Sequence, residues 1–179
     1  MRPQSEIVYV AIGANLGSRE ATFSKAIEAL EAESGLRLDR VSSVYETPPL
    51  GPEGQSPYLN AVIRLESELA PIELLDCLQA IESRLGRDRG PDSVRWGPRV
   101  IDLDLLFFAD RCLEESRLIV PHPAAHERAF VMVPMAEIAA TLTHPKIGRT
   151  IAEILAGLPA GDQEEVRLQA TPEGWPQPG

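Results

Sequence analysis

The sequence predicts an α+β fold, an antiparallel sheet with helices packed on it, in the order strand, helix, strand, strand, helix, strand. Three observations predict it. Apolar runs of strand length recur at residues 7–12, 36–47, 58–66 and 100–108; residues 23–30 and 74–85 carry apolar side chains at helical spacing; and Gly or Pro lies at or near most junctions. At 179 residues the chain suits one domain with a sizeable core, and 44% hydrophobic and 25% charged residues are ordinary for a soluble globular protein. No apolar run approaches the roughly 20 residues of a membrane span, and the first residues lack the apolar core of a signal peptide, so the cytoplasm is the expected location. Cys77 and Cys112 are too few for a disulfide framework. A net charge of -10 disfavours nucleic acid or an anionic membrane as partner. Residues 84 to 99 nevertheless hold five Arg against two Asp, a local +3 that suits a small, highly charged anion.

The first strand, residues 7–12, ends in Gly13-Ala14-Asn15-Leu16-Gly17-Ser18, with Ser18 the natural N-cap of a helix whose apolar positions are Phe23, Ala26, Ile27 and Leu30. This turn matches neither dinucleotide nor Walker glycine patterns and reads as a plain tight turn. Residues 36–47 form the second strand, with Val41 out of phase with Leu36 and Leu38, which suggests a bulge or bend. Four prolines and two glycines in residues 47–57 then demand a loop of restricted backbone freedom, able to present its N–H and C=O groups in a fixed array. In the third strand Leu59, Ala61, Ile63 and Leu65 make the core face, leaving Tyr58 and Asn60 on the other. Asn is disfavoured mid-strand, so Asn60 calls for a hydrogen-bonding reason. Pro71 opens the second helix, Leu74, Leu78, Ile81 and Leu85 form its buried stripe, Gln79 and Glu82 share a polar face, and Gly86 ends it. Residues 86–94 are a polar loop carrying Arg87 and Arg89.

The chemistry concentrates in the fourth strand. From Val100 onward Ile101, Leu103, Leu105 and Phe107 alternate with Asp102 and Asp104. Residues two apart on a strand share a face about 6.5 to 7 Å apart, so the two carboxylates can hold a hard cation, or a pair about 4 Å apart. Arg95, Trp96 and Arg99 stand just upstream; anion clamps, a metal seat and a stacking ring are what phosphate transfer requires. A solvated strand edge with surface ion pairs is the competing reading. Downstream, residues 125–132 read as helical, bringing Glu127, Arg128 and Phe130 near His122. His122 and His126 are four apart but separated by Pro123, which argues against a metal pair. Residues 138–158 read as short helical segments closing the core. The domain is expected to span residues 1–159, and the Pro-containing residues 160–179 to be a flexible C-terminal tail.

The element order is that of a ferredoxin-like βαββαβ sandwich, with helices on one face of four strands and C-terminal additions. Fold alone decides no function, and an RNA-binding or regulatory ligand-binding module shares it; the negative charge and the lack of paired aromatics on central strands disfavour that class. The block Arg95-Trp96-Gly97-Pro98-Arg99-x-x-Asp102-Leu103-Asp104, with Tyr58-x-Asn60 before it and Val120-Pro121-His122-Pro123 after it, resembles the 6-hydroxymethyl-7,8-dihydropterin pyrophosphokinases of folate biosynthesis. The resemblance runs from about Tyr9 to Ala140. It implies that Asp102 and Asp104 hold two magnesium ions on the phosphates of ATP. Arg87, Arg89, Arg95, Arg99, His122 and Arg128 would orient the phosphate chain, and Gln79, Glu82 and Ile101 would border the nucleotide. It places the pterin between Trp96 and Phe130, over Tyr58 and Asn60, with the backbone of Thr47, Pro48 and Leu50 reading its edge. Two departures stand out: residues 90–94 make a longer stretch before Arg95 than the family often has, and Pro123 stands where some members carry Tyr. The implied reaction moves the terminal diphosphate of ATP to the pterin hydroxymethyl group with release of AMP, and no residue stands out as a general base. An ordinary kinase making ADP would use the same charged groups.

Overall fold

The computed structural model describes residues 5–49, 53–87 and 97–177. In chain order come β1 (Glu6–Ala14), α1 (Arg19–Ala32), β2 (Leu36–Val41), β3 (Tyr45–Thr47), β4 (Tyr58–Ser67), α2 (Pro71–Arg84) and β5 (Asp102–Phe108). They are followed by β6 (Leu113–Glu114), β7 (Ile119–Val120), a 3-10 turn (Ala125–Glu127), α3 (Ala129–Ala139), α4 (Ile151–Ala156), α5 (Ala160–Glu164) and β8 (Arg167–Leu168). Among the described residues the main sheet has the order β5-β1-β4-β3-β8, with β2 also on β4, and every pairing is antiparallel. The expected single strand over 36–47 is two short ones. The chain leaves β4 after Val41 and rejoins it at Tyr45; between them Ser42 keeps contact through its own N–H to the Val62 carbonyl and its Oγ, which accepts the Val62 N–H.

Helices cover both faces, not one. Val8, Val10, Ile12, Ala61, Ile63, Leu65, Leu103 and Leu105 pack against Phe23, Ile27 and Leu30 of α1 and Leu74, Leu78 and Ile81 of α2. Tyr9, Val62, Leu106 and Phe107 pack on the opposite side against Val131, Met132, Met135 and Ile138 of α3 and Ile151 and Ile154 of α4. The nearly continuous burial of β4 follows, since a strand covered on both faces has no solvated side. Phe107 departs from the expected alternation. A bulge at Leu106 shifts the register, so that Val10 faces Leu105 but Tyr9 faces Phe107, and the extra residue turns Phe107 onto the α3 side. There its ring meets Tyr9 edge-on at 6.2 Å.

Helix entry and exit follow local chemistry only in part. Gly86, at φ +94°, takes the left-handed conformation that ends α2, whereas α1 ends in an extended Glu33 and Gly35, at φ +84°, makes the turn into β2. Ser18 occupies the N-cap position of α1 but makes no side-chain cap; its carbonyl accepts the Thr22 N–H instead. At α2 the Ala70 N–H donates to the Glu73 carboxylate at 2.8 Å.

The segment from residue 160 differs from the loose tail its composition suggests. It forms α5, adds β8 to the free edge of β3, and buries Trp175 against Phe23, with ring centroids 5.5 Å apart and the indole N–H donating to the Ser42 carbonyl at 3.0 Å. One aromatic residue with a satisfied polar tip outweighs the low apolar content around it.

Candidate active site

Three neighbouring strands set the floor. At one end of the α3-side face, Asp102 of β5, Gly13 of β1 and Asn60 of β4 stand side by side across the sheet, and Asp104, Ala11 and Val62 form the next row. Helix α3 covers only the far end of this face, so the near end opens into a cavity of about 360 Å³. Its walls include Thr47, Pro48 and Tyr58 on one side and Arg99, Asp102 and Asp104 on the other, with His122, Arg128 and Phe130 along the α3 edge. Gly13 keeps the floor low: a Cβ there would sit 3.6 Å from Asn60 Oδ1 and 3.9 Å from the Tyr58 ring.

Asn60 is buried, and its Nδ2 donates to Thr47 Oγ1 at 2.8 Å, which fixes the amide orientation. The Tyr58 hydroxyl donates to the Gly97 carbonyl at 2.9 Å, tying the strand to the segment that carries Arg99. Burial raises the Tyr58 pKa, so the hydroxyl stays a donor. His122 lies in a partly buried position where desolvation, then the Arg128 charge, lowers its pKa. Its Nδ1 accepts the Ala124 N–H at 3.2 Å, which leaves the neutral ring with its proton on Nε2. His122 therefore enters the site as a neutral donor.

The acidic side is a buried ion cluster. Glu82 is wholly buried and accepts the Leu103 N–H at 2.7 Å, so α2 grips β5 directly between the two aspartates. Arg87 bridges Glu82 and Asp102, and Arg99 pairs with the second oxygen of Asp102. Asp104 is partly buried and, among the described residues, has no such bridge. Desolvation, then the charges of Asp102 and Glu82, pushes its pKa up to about 6. The polar face expected for Glu82 is thus an interior one, and Arg87, expected on a polar loop, is clamped with its side chain 12% exposed.

This region of the chain, residues 9–140, matches the sequence model of 7,8-dihydro-6-hydroxymethylpterin-pyrophosphokinase. The chain belongs to this family. It is 45% identical over 134 residues to a 2-amino-4-hydroxy-6-hydroxymethyldihydropteridine pyrophosphokinase of Bacillus subtilis, covering 75% of this chain and 78% of that one. A protein of the same name from Methylorubrum extorquens is 42% identical over 158 residues, covering 88% and 97%. In fold it resembles Plasmodium falciparum HPPK-DHPS, with a TM-score of 0.68 at 14% identity, over 86% of this chain and 44% of the other. The chain spans under half the length of that solved structure.

Within this pyrophosphokinase family member the structure brings together Thr47, Pro48, Tyr58, Asn60, Arg99, Asp102, Asp104, His122, Arg128 and Phe130 around one cavity. Arg87 and Glu82 stand directly behind Asp102. Gln79 is partly buried on α2 and does not line the cavity, and the side chain of Ile101 is wholly buried in the α1/α2 core. Leu50, Arg89, Arg95 and Trp96, and the long stretch 90–94, lie outside the described residues. His126 packs on His144, ring centroids 5.7 Å apart, and not on His122.

Sequence reasoning passed over Asn15, taken as part of a plain turn. It is almost wholly buried, and its Oδ1 accepts the Arg99 N–H at 2.7 Å while its Nδ2 donates to the Ser56 carbonyl at 3.1 Å and Gln55 Oε1 at 3.2 Å. Its own N–H donates to the Arg99 carbonyl at 3.0 Å. One amide thus ties the proline-rich loop to the Arg99 segment. The available signal was a lone Asn between two glycines, which a turn explains equally well.

Proposed function

We propose that this cavity is where ATP and the hydroxymethyl dihydropterin meet, the carboxylate side taking the phosphates and the Thr47–Asn60 side taking the pterin. The reaction of the family is transfer of diphosphate from ATP to 6-hydroxymethyl-7,8-dihydropterin, giving AMP and the pterin diphosphate. The observation that carries the site reading is the adjacency of Asp102, Gly13 and Asn60 in one row of the sheet, which juxtaposes a cation-attracting edge and an amide-reading edge over a floor without side chain. The strand order of β5, β1, β4 and the β2/β3 pair supports a ferredoxin-like arrangement, and a substrate pair of ATP and reduced pterin supports a cytoplasmic location.

Asp102 and Asp104 fit magnesium by their chemistry: both are hard oxygen donors, and the charges of Asp102 and Glu82, which after desolvation raise the Asp104 pKa, are ones a cation would offset. Among the described residues no group of three or more His, Cys, Asp or Glu could hold a metal, so this is a two-carboxylate seat of the kind completed by phosphate and water. Two ions are our reading. Magnesium bound there would supply charge neutralisation and in-line alignment of the phosphates. Arg99 and Arg128 would bind phosphate oxygens, and His122 would donate its Nε2 proton to one without adding charge. Glu82 and Arg87 would hold Asp102 in orientation, and Ile101 would border the nucleotide through its main chain. Thr47 fixes Asn60 so that Oδ1 is free to accept from the pterin amide edge, and Phe130 would cover one face of the ring. Arg89, Arg95 and Trp96 keep the roles implied by the family motif, closing over the phosphates and the other ring face, and Gln79 and Leu50 remain candidates at the nucleotide and pterin margins.

Phe130→Ala is expected to weaken pterin binding by about 1 to 3 kcal/mol, roughly five- to 150-fold in Kd, through lost stacking and burial. Titration of the pterin in the presence of a non-hydrolysable ATP analogue reads this, and an unchanged Kd removes Phe130 from the site. The reaction itself is tested by incubating the protein with magnesium, ATP and the hydroxymethyl dihydropterin and separating the nucleotides. AMP is expected in one-to-one ratio with the pterin diphosphate. ADP with a pterin monophosphate would overturn diphosphate transfer, and no pterin-dependent use of ATP would overturn the whole reading.

A further inference from the structure

We propose that residues 160–177 are a strap that holds the pterin-reading wall in place, with Trp175 as its anchoring residue. The proposal rests on the assignment of Thr47, Pro48 and Asn60 to the pterin. It concerns a segment that lies past the end of the family match at residue 140.

The strap completes a short wall. Strand β3 has three residues, and β4 pairs with only one of its edges. Side chains hold it as well, Ser43 and Tyr45 on Glu137 of α3 and Glu46 on Arg19, but its second backbone edge is open to fraying unless another strand pairs with it. β8 supplies the second edge, with Tyr45 opposite Leu168 and Glu46 opposite Arg167, and the Gln169 N–H donating to the Val44 carbonyl at 2.9 Å. Two residues of strand do not hold themselves in place, so both ends of the segment need fixing. Upstream, Gln163 donates from one amide nitrogen to the carbonyls of Leu155 and Leu158, each at 3.0 Å. Downstream, Trp175 is 4% exposed, stacked in a tilted contact on Phe23, with its N–H on the Ser42 carbonyl.

Ser42 and Trp175 link the anchor to the site. Ser42 is the residue where the chain steps from β2 to β3, bound to Val62 on the floor strand through both N–H and Oγ. The indole therefore grips the hinge from which β3 runs to Thr47, and Thr47 in turn orients Asn60. Between its two ends the strap also faces the slot from outside. Asp162, Glu165 and Val166 line a second groove of about 180 Å³, whose other residues include Thr47, Pro48, Arg128 and Phe130. The strap thus stands behind both Thr47–Pro48 and the start of α3, the two walls between which the pterin would lie.

The test uses the full chain with Trp175→Ala and Trp175→Phe. The readouts are steady-state kinetics for each substrate and amide exchange of residues 45–47 against β1 and β5. For Trp175→Ala the KM for pterin is expected to rise about tenfold or more, with kcat and the KM for ATP within about threefold of the parent. Exchange at 45–47 should quicken about tenfold while β1 and β5 stay protected. Trp175→Phe keeps a ring against Phe23 and loses the hydrogen bond, so it should fall between the parent and Trp175→Ala. Should Trp175→Ala fail to fold, Trp175→Phe decides on the same readouts, and parent-like exchange at 45–47 with parent-like pterin KM overturns the proposal. Equal losses for both substrates, with exchange raised everywhere, would reduce Trp175 to a general stabilising residue and also overturn it. A parent protein without pterin-dependent AMP formation would instead overturn the assignment on which the proposal rests.

Discussion

Asp104→Asn is expected to abolish diphosphate transfer and, at neutral pH without magnesium, to make the protein harder to unfold. The activity half follows from the position of Asp104 on the cavity side of β5 beside Asp102; if it seats magnesium as proposed, loss of its charge should lower kcat by about 10³-fold or more. The stability half follows from its pKa. The carboxyl titrates at about 6 when folded against 3.8 as its ordinary value, so the folded state holds its proton more tightly. Its stabilising contribution is complete below about pH 4 and is lost as pH rises through about 6; above that the folded protein carries a partly buried charge disfavoured on the order of 2 kcal/mol. Asn carries no such charge. Thermal unfolding at pH 7.5 with a chelator should therefore show Asp104→Asn above the parent by roughly 4 °C or more, with a flatter pH dependence between 4 and 6. A parent-like turnover at saturating magnesium and ATP would remove Asp104 from the site. A lower melting temperature would show that the parent carboxylate is compensated in the fold.

The second large effect is at Arg87. Truncating Arg87→Ala takes the bridging cation from a wholly buried Glu82 and from one oxygen of a partly buried Asp102, which keeps Arg99 on the other. Breaking a buried pair from one side typically costs about 3 to 5 kcal/mol, so the melting temperature should fall by roughly 10 °C. Glu82→Gln keeps an oxygen for the Leu103 N–H while removing a charge, and the double variant Arg87→Ala/Glu82→Gln should recover part of the loss. If Arg87 acted only as an arm of a moving loop, its truncation would lower turnover and leave the melting temperature alone. Calorimetry on the two variants separates these outcomes.

These two residues also mark how far the sequence can be read. The Asp102/Asp104 face is legible because a period of two is a geometric property of a strand, and the apolar partners Ile101, Leu103 and Leu105 make the phase unambiguous. Phe107 is not, because a bulge depends on how β1 pairs with β5, which no local pattern records. Glu82 and Arg87 look like solvated groups on a helix face and a loop; only the approach of α2 to β5 turns them into an interior cluster. Asn60 is legible as an exception to strand propensity, whereas Asn15 conforms to turn propensity and so hides its three-way hydrogen bonding. Trp175 sits among Pro, Gly and polar residues, where a window average conceals the one side chain that docks.

The face of the sheet that helix α3 leaves half covered has a thermodynamic consequence. At its far end Tyr9 and Phe107 are sealed by side chains of the chain itself, while at its near end the strands present Gly13, Ala11 and Asn60 to the cavity. A flat ring lying there would extend the same layer that α3 begins, so a pterin bound as proposed would be in effect a detachable piece of the protein interior. Ligand occupancy should then feed directly into cooperativity of unfolding: the near ends of β1, β4 and β5 gain a second packed side only in the complex, and mass action adds about 2.7 kcal/mol at a hundredfold excess over Kd.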